Sequence, residues 1–191
     1  GVGTARRPIA AQIGPQRFVG PDNGVFSPMY QRAEKMGWPI NIVHTDKPEY
    51  WGDKISDIFH GRDIFSPVGA HWAMGVPLED LGTPIDDPVR IPLPDPEKTG
   101  NSVVGEVSHI DHFGNIHTNI HKDDMSHLGD VTVTLGDLIL EGVRRAFGDR
   151  ESGEMIALYS STDYLLISEV NGSTLARTGA QVGDLVKVTG K

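Results

Sequence analysis

The sequence predicts two parts of different kind: a mixed α and β amino-terminal part and, past a proline-rich boundary, a carboxy-terminal part built from short strands in a small barrel or sandwich. Three observations carry this expectation. The 191 residues include 23 glycines and 13 prolines, about a fifth of the chain, which favours short elements joined by tight turns over long helices. Helix-start chemistry, a serine followed by proline at the first helical position, occurs at Ser27-Pro28 and Ser66-Pro67, both in the first half. Between residues 83 and 101, Pro84, Pro88, Pro92, Pro94 and Pro96 alternate with Asp and Glu, a composition that stays extended and exposed. The expected organisation is therefore residues 1–82, a linker over 83–101, and residues 102–191.

Along the chain, Pro8 to Ile13 reads as a strand edge, Arg17 to Val19 as a second short strand, and Pro21-Asp22-Asn23-Gly24 as a turn. Ser27 to Met36 reads as a helix with Ser27 as its cap, and Ile40 to Val43 as a short apolar strand. Ser66-Pro67, followed by Val68, Ala70, Trp72, Ala73 and Met74, predicts a packed helix that stops at Gly75. Beyond the linker, Val103 to Asp111, Asn115 to Ile120, Val131 to Leu135, Met155 to Ser160, Tyr164 to Val170 and Leu185 to Val188 read as strands.

Composition excludes several classes of function. No cysteine is present, so disulfide frameworks, thiolate nucleophiles, Cys-ligated zinc and iron–sulfur clusters are ruled out. A formal charge of −9, with no run of basic residues beyond pairs such as Arg6-Arg7 and Arg144-Arg145, gives no footprint for a nucleic-acid backbone. No run approaches the roughly 18 apolar residues of a membrane span. With no recognisable signal peptide, the expected location is cytoplasmic and the expected partner a small molecule.

Four polar clusters could carry chemistry. In Gly1-Val2-Gly3-Thr4-Ala5-Arg6-Arg7, glycines would let backbone approach a ligand and an arginine could position a water or anion, although most such glycine pairs are ordinary turns. Phe59-His60-Gly61-Arg62-Asp63 is expected in a loop just before a helix; it reads either as a site with a tuned histidine or as a turn held by an Arg62–Asp63 ion pair. The stretch from His109 to His121 is the densest in histidine. If residues 115–121 form a strand, Ile116, Thr118 and Ile120 face one side and His117, Asn119 and His121 the other, spread over about 13 Å, too far for one metal ion. A solvated strand face and a ligand site on the hairpin tip Asp111 to Asn115 remain as readings. Ser160-Ser161-Thr162-Asp163-Tyr164 is a polar hairpin without the strand-to-helix turn of a serine hydrolase.

In order and spacing these clusters, together with Gly20-Pro21-Asp22-Asn23-Gly24 and Ile64-Phe65-Ser66-Pro67-Val68, resemble the S-adenosylmethionine hydroxide adenosyltransferase family, adenosine-forming hydrolases related to the fluorinase and chlorinase. The resemblance spans essentially the whole chain. It implies an α/β N-terminal domain, incomplete here, plus a C-terminal all-β barrel-like domain, and homotrimers with active sites between subunits. It further implies attack of water or hydroxide on the ribose C5′ of S-adenosylmethionine, with methionine leaving and adenosine formed. The leaving sulfonium becomes neutral as it departs, so placement of the nucleophile can suffice, with no metal and no cofactor.

By motif, Arg6 and His60 match two members of the family's Asp–Arg–His triad. The Asp matches nothing in this sequence: it is expected two residues before Gly1, with a ribose-binding Asp further upstream, so the sequence is expected to continue in that direction. Asp111 and Ser161 are similar to contacts with the methionine end, Phe113 and Asn115 to the adenine side, and Phe147 to a second adenine face. Gly61 stands where halogenases of this kind have serine, and Thr162 where the fluorinase has arginine; both favour water over halide. A halogenase and a binding protein without turnover are the alternatives.

Overall fold

The computed structural model describes residues 4–191, which form two compact units, one reaching to Leu93 and the other running from Pro94 to Lys191. In the first unit, β1 (Pro8–Ile13) and β2 (Gln16–Pro21) form a hairpin turned at Gly14, whose φ of 54° is left-handed and whose missing side chain leaves room for the Trp38 ring. Next come α1 (Ser27–Met36), stopped by left-handed Gly37, and β3 (Ile40–His44), antiparallel to β1. Helix α2 (Ser66–Ala73) follows, and β4 (Thr83–Pro84) pairs with the end of β3. The sheet order is β2-β1-β3-β4, with every pair antiparallel.

Alternation along β1 decides what each sheet face meets. Ile9, Ala11 and Ile13 pack with Ile42 and with Tyr30 and Ala33 of α1, whereas Ala10 packs with Val43 and with Ile64, Val68 and Trp72 of the α2 segment. Each face therefore carries one helix.

Two local expectations need correction. Ser27 is the first helical residue and caps nothing; its hydroxyl instead accepts the Ile91 N–H at 2.9 Å, a partner 64 positions away. His60 is not in a loop: it has helical backbone (φ −57°, ψ −25°) and opens a helical run to Ala73. The first turn of that run, Gly61–Phe65, is a π-turn because the Ser66 N–H reaches five residues back to the Gly61 carbonyl, which also accepts the Ser66 hydroxyl at 2.8 Å.

Residues 85–93 are fastened to the first unit. Arg7 donates to Asp22 (2.6 and 2.9 Å) and to Asp87 (2.7 Å), Val89 N–H donates to the other Asp22 oxygen at 2.7 Å, and Gln31 donates to the Leu93 carbonyl at 2.7 Å.

The second unit contains β5 (Glu97–Thr99), β6 (Ser102–Ile110), β7 (Ile116–His121), β8 (Val131–Leu135), β9 (Leu138–Glu141), β10 (Met155–Tyr159), β11 (Tyr164–Glu169), α3 (Thr174–Thr178) and β12 (Leu185–Gly190). Strands β5 and β9 and helix α3 were not anticipated from sequence. One antiparallel sheet of order β10-β11-β7-β6-β12-β8-β9, with β5 beside β6, curls around Val103, Val107, Ile116, Ile120, Val133, Leu165, Ile167, Val186 and Val188, all buried. A single parallel bridge between Arg144 and Leu158 brings its two ends together, so the sheet is barrel-like and nearly closed.

Candidate active site

In the first unit, the side chains on the α2 face of the sheet gather at the start of β1 and the end of β3. Arg6 precedes β1, and its guanidinium lies 5.6 Å above the ring of Phe65, five residues along the helical run that His60 opens. The fold thus brings Arg6 to the segment that carries half-buried His60. Among the described residues, Arg6 Nε is buried without a hydrogen-bond partner, and so is the hydroxyl of Thr45, a residue fully buried just past β3. Thr45 escaped the sequence reading. Period-two alternation through Val43 sets it on this face, but only pairing with β1 puts it near Arg6.

Asp63 does structural work beside them. Only 5% exposed, it accepts two hydrogen bonds from Arg62 (2.6 and 3.1 Å) and one from Ser56 N–H (2.8 Å), and its carbonyl accepts Gly52 N–H at 2.7 Å. The Arg62 hydrogen bonds, followed by that from Ser56, hold its carboxyl far below the usual carboxylate range. The Arg62–Asp63 pair therefore clips residues 52–59 onto the π-turn and leaves the neighbouring His60 outside that network.

In the second unit, the β6–β7 tip gathers three of the candidate residues. Asp111 Oδ1 accepts the N–H groups of Phe113 and Asn115, both at 2.9 Å, and Oδ2 accepts the Asn115 side-chain amide at 2.8 Å. His117 stands 3.5 Å from Oδ2. Burial raises the Asp111 pKa, but the hydrogen bonds from Asn115, with those from His117 and Phe113, outweigh it and leave the group below its ordinary value. Gly114, at φ 83°, lies against the Ser173 side chain and its carbonyl accepts Leu175 N–H at 3.0 Å, which ties the tip to the start of α3. The tip holds Phe113 outward, 75% exposed. The Asn115 amide spends one of its two N–H donors on Asp111, which fixes its plane and leaves the carbonyl oxygen and the second N–H to present.

Ser161 and Phe147 lie elsewhere. In the β7–β11 ladder Ile116 pairs with Ile167 and His121 with Tyr164, so the tip before Ile116 and the turn before Tyr164 sit at opposite ends of the pair, five residue steps or on the order of 17 Å apart. Ser161 is exposed in that turn, where left-handed Asp163 (φ 62°) donates its N–H to the Ser160 carbonyl. Phe147, 41% exposed, starts a short 3₁₀ turn. Past the parallel bridge of Arg144 and Leu158 both segments run the same way, and Phe147 and Ser161 each come three residues after it. The fold therefore groups Asp111 with Phe113 and Asn115, and sets Ser161 and Phe147 each three residues past the Arg144–Leu158 bridge.

The histidines of β7 alternate as expected, with Ile116, Thr118 and Ile120 buried and His117, Asn119 and His121 half-buried. His121 accepts Asp123 N–H at 3.2 Å and caps a 3₁₀ turn. Among the described residues no group of three or more His, Asp or Glu side chains is placed to hold a metal ion, and no helix is long and apolar enough to cross a membrane. The turn Gly1 to Gly3 lies outside the described residues.

Comparison with known proteins joins both units to one family. Residues 1–82 match the SAM hydroxide adenosyltransferase N-terminal domain and residues 105–187 its C-terminal domain. The chain is 34% identical over 192 residues to an (R)-S-adenosyl-L-methionine hydrolase of Salinispora tropica, covering 99% of this chain and 71% of that protein. It is 33% identical over 195 residues to a protein of the same name from Thermus thermophilus, covering 98% and 72%. A fluorinase of Nocardia brasiliensis is 32% identical over 171 residues, covering 83% and 55%. Among solved structures, an uncharacterized conserved protein from Thermotoga maritima superimposes with a TM-score of 0.78 at 32% identity, covering 99% of this chain and 73% of that one.

Proposed function

The chain belongs to the SAM hydroxide adenosyltransferase family, and from that premise we propose that it hydrolyses S-adenosyl-L-methionine to adenosine and L-methionine. The observation that carries this reading is the match at 33–34% identity, over 98–99% of the chain, to relatives named as hydrolases of that compound. In the reaction, a water oxygen forms the new bond to ribose C5′ while the C5′–S electron pair returns to sulfur and methionine departs as a neutral thioether. The water's proton passes to His60 and then to solvent. His60 is assigned as the base because it opens the helical run whose Phe65 lies against Arg6, and Asp63 engages Arg62 rather than His60. Arg6 supplies positive charge that favours a hydroxide-like nucleophile.

On the recognition side, Phe113 stacks on the adenine, and Asn115, oriented by the one N–H it donates to Asp111, hydrogen-bonds the edge of that base through its carbonyl and second N–H. Asp111 shapes the tip and offers its remaining lone pairs to the methionine ammonium. Ser161 is assigned to the methionine end and Phe147 to a second adenine face. No cofactor enters this scheme. We further propose a homotrimer with active sites shared between subunits, which agrees with the division of the proposed catalytic and binding residues between two units, and an α/β N-terminal domain, which agrees with a sheet carrying a helix on each face.

The fluorinase relatives favour a second reading, halide in place of water. Gly61 weighs against it: it has no hydroxyl to offer a halide, and there is open space where a side chain would project. Incubation of the protein with S-adenosyl-L-methionine, followed by chromatography, should give adenosine and methionine in equal amounts with or without chloride or fluoride. No adenosine, or a 5′-halo-5′-deoxyadenosine when halide is supplied, would overturn the hydrolase reading.

A further inference from the structure

Thr45 is built into the first unit without a visible structural return for its hydroxyl. Its backbone is pinned twice, by N–H donation to the Pro8 carbonyl at 2.9 Å and by acceptance of the Trp51 indole N–H at 3.1 Å. Its side chain is fully buried, and the hydroxyl has no partner. A buried hydroxyl without a partner costs about 1–3 kcal/mol, whereas valine would fill the same space at no such cost.

The sheet register shows what lies near it. Ala10 pairs with Val43, and both pack under the α2 segment. Alternation then sets Pro8 and Thr45, opposite one another, on the same face, and Arg6 two residues further along that face, as its contact with the Phe65 ring requires. Arg6 Nε, a donor, is the second buried atom here without a partner. Two sealed polar atoms, one an obligate donor and the other able to accept, on diagonal neighbours of one sheet face, are what a buried bridging water needs.

We propose that Thr45 is a positioning residue for Arg6, holding its guanidinium over the site through one buried water shared by Thr45 Oγ1 and Arg6 Nε. The inference rests on the reading of Arg6 as part of the hydrolytic site. Thr45 touches neither substrate nor nucleophile; it fixes the attitude of the cation that does, and with Phe65 on one side and the water on the other Arg6 has one orientation instead of several.

The test compares Thr45→Val, which keeps the shape and removes the hydroxyl, with Thr45→Ser, which keeps the hydroxyl. In Thr45→Val, kcat should fall about tenfold, the worth of one hydrogen bond, with KM within about twofold and only a small change of Tm, because valine keeps the packing while the bond to the water is lost. Thr45→Ser should recover most of kcat. Unchanged kcat in Thr45→Val, or a loss that follows a loss of Tm, overturns the proposal. A high-resolution crystal structure gives a readout independent of turnover: a water within hydrogen-bonding distance of both Thr45 Oγ1 and Arg6 Nε, and no such water in Thr45→Val. Its absence from the unaltered protein defeats the Thr45 role even if hydrolysis is found. Its presence alongside a failure to form adenosine defeats the hydrolase reading instead.

Discussion

Asp63 in the first unit and Asp111 in the second are used alike, each closing a local turn by accepting N–H groups from residues close in sequence. What surrounds them differs. In the unit that holds Asp63, polar atoms among the described residues are buried without partners, as with Arg6 Nε and Thr45 Oγ1. Around Asp111, nearly every donor is matched, and the group left over is an aromatic ring held out to solvent. The first arrangement keeps electrostatics strong by excluding water, as a site that moves protons and charge requires. The second fixes the geometry of a surface, as a site that recognises a flat ring requires. Charged residues alone do not distinguish a reactive region from a binding one; whether their hydrogen-bonding capacity is already used does.

Substitutions in the two regions should therefore fail differently. The largest effect is expected at His60, where alanine should lower turnover by about 10² to 10⁴ while Tm stays nearly unchanged. Near-normal hydrolysis by His60→Ala, measured alongside calorimetry, would remove the basis for calling the first region reactive. Mixed oligomers of His60→Ala and Asp111→Ala should regain activity if sites are shared between subunits, and no regain in demonstrated mixed trimers would argue for a site within one chain.

At the tip, Gly114→Ala must hold a left-handed backbone and displace the Ser173 side chain, at a cost of about 1–3 kcal/mol. Denaturant unfolding should show that loss together with a raised KM. Asp111→Asn should cost about 1 kcal/mol of stability. The folded Asp111 pKa lies below its unfolded value, so its stabilisation is fully present above an unfolded value of about 3.9 and is lost as pH falls through the folded one. The Tm gap between Asp111→Asn and the unaltered protein should therefore be constant above about pH 5 and close on further acidification; a gap that persists in acid would mean that Asp111 acts through shape and not charge. Smallest in stability should be Phe113→Ala, within about 0.5 kcal/mol because the ring is exposed, although KM for S-adenosyl-L-methionine should rise severalfold. Unchanged KM would make the tip a rigid turn with no recognition role.

Much of this was legible from local pattern. The strand over residues 8–13, both helices, the alternation of β7 and the polar tip all follow from periodicity and turn chemistry that neighbouring residues supply. Strand β9 was missed although Gly136-Asp137 between two apolar runs is a hairpin signal; its pattern of half-buried and exposed residues hid it. Ser27 misled because a cap and a long-range acceptor use the same side-chain oxygen, and only the fold decides which donor arrives. His60 was assigned to a loop because Gly61 weakens any helix, while the two donations from Ser66 that stabilise the π-turn come from the following turn. Arg6 and His60 were proposed from motif alone, and the fold brings Arg6 to the helical segment that His60 opens. Grouping the second unit's residues required the β7–β11 register, which no local pattern contains.

The Arg144–Leu158 bridge has a kinetic meaning for this second unit. Strand β10 and the segment that follows β9 meet through one bridge and the 2.7 Å hydrogen bond from Arg144 N–H to the Ala157 carbonyl, while the other junctions of this sheet among the described residues are ladders, so the seam is the line along which the sheet opens at least cost. Amide hydrogens at Arg144 should exchange with solvent well ahead of those in β6 and β12. Parting of the seam would carry Phe147 and Ser161 away from each other before the hairpin tip is disturbed, giving the two groups of candidate residues separate clocks.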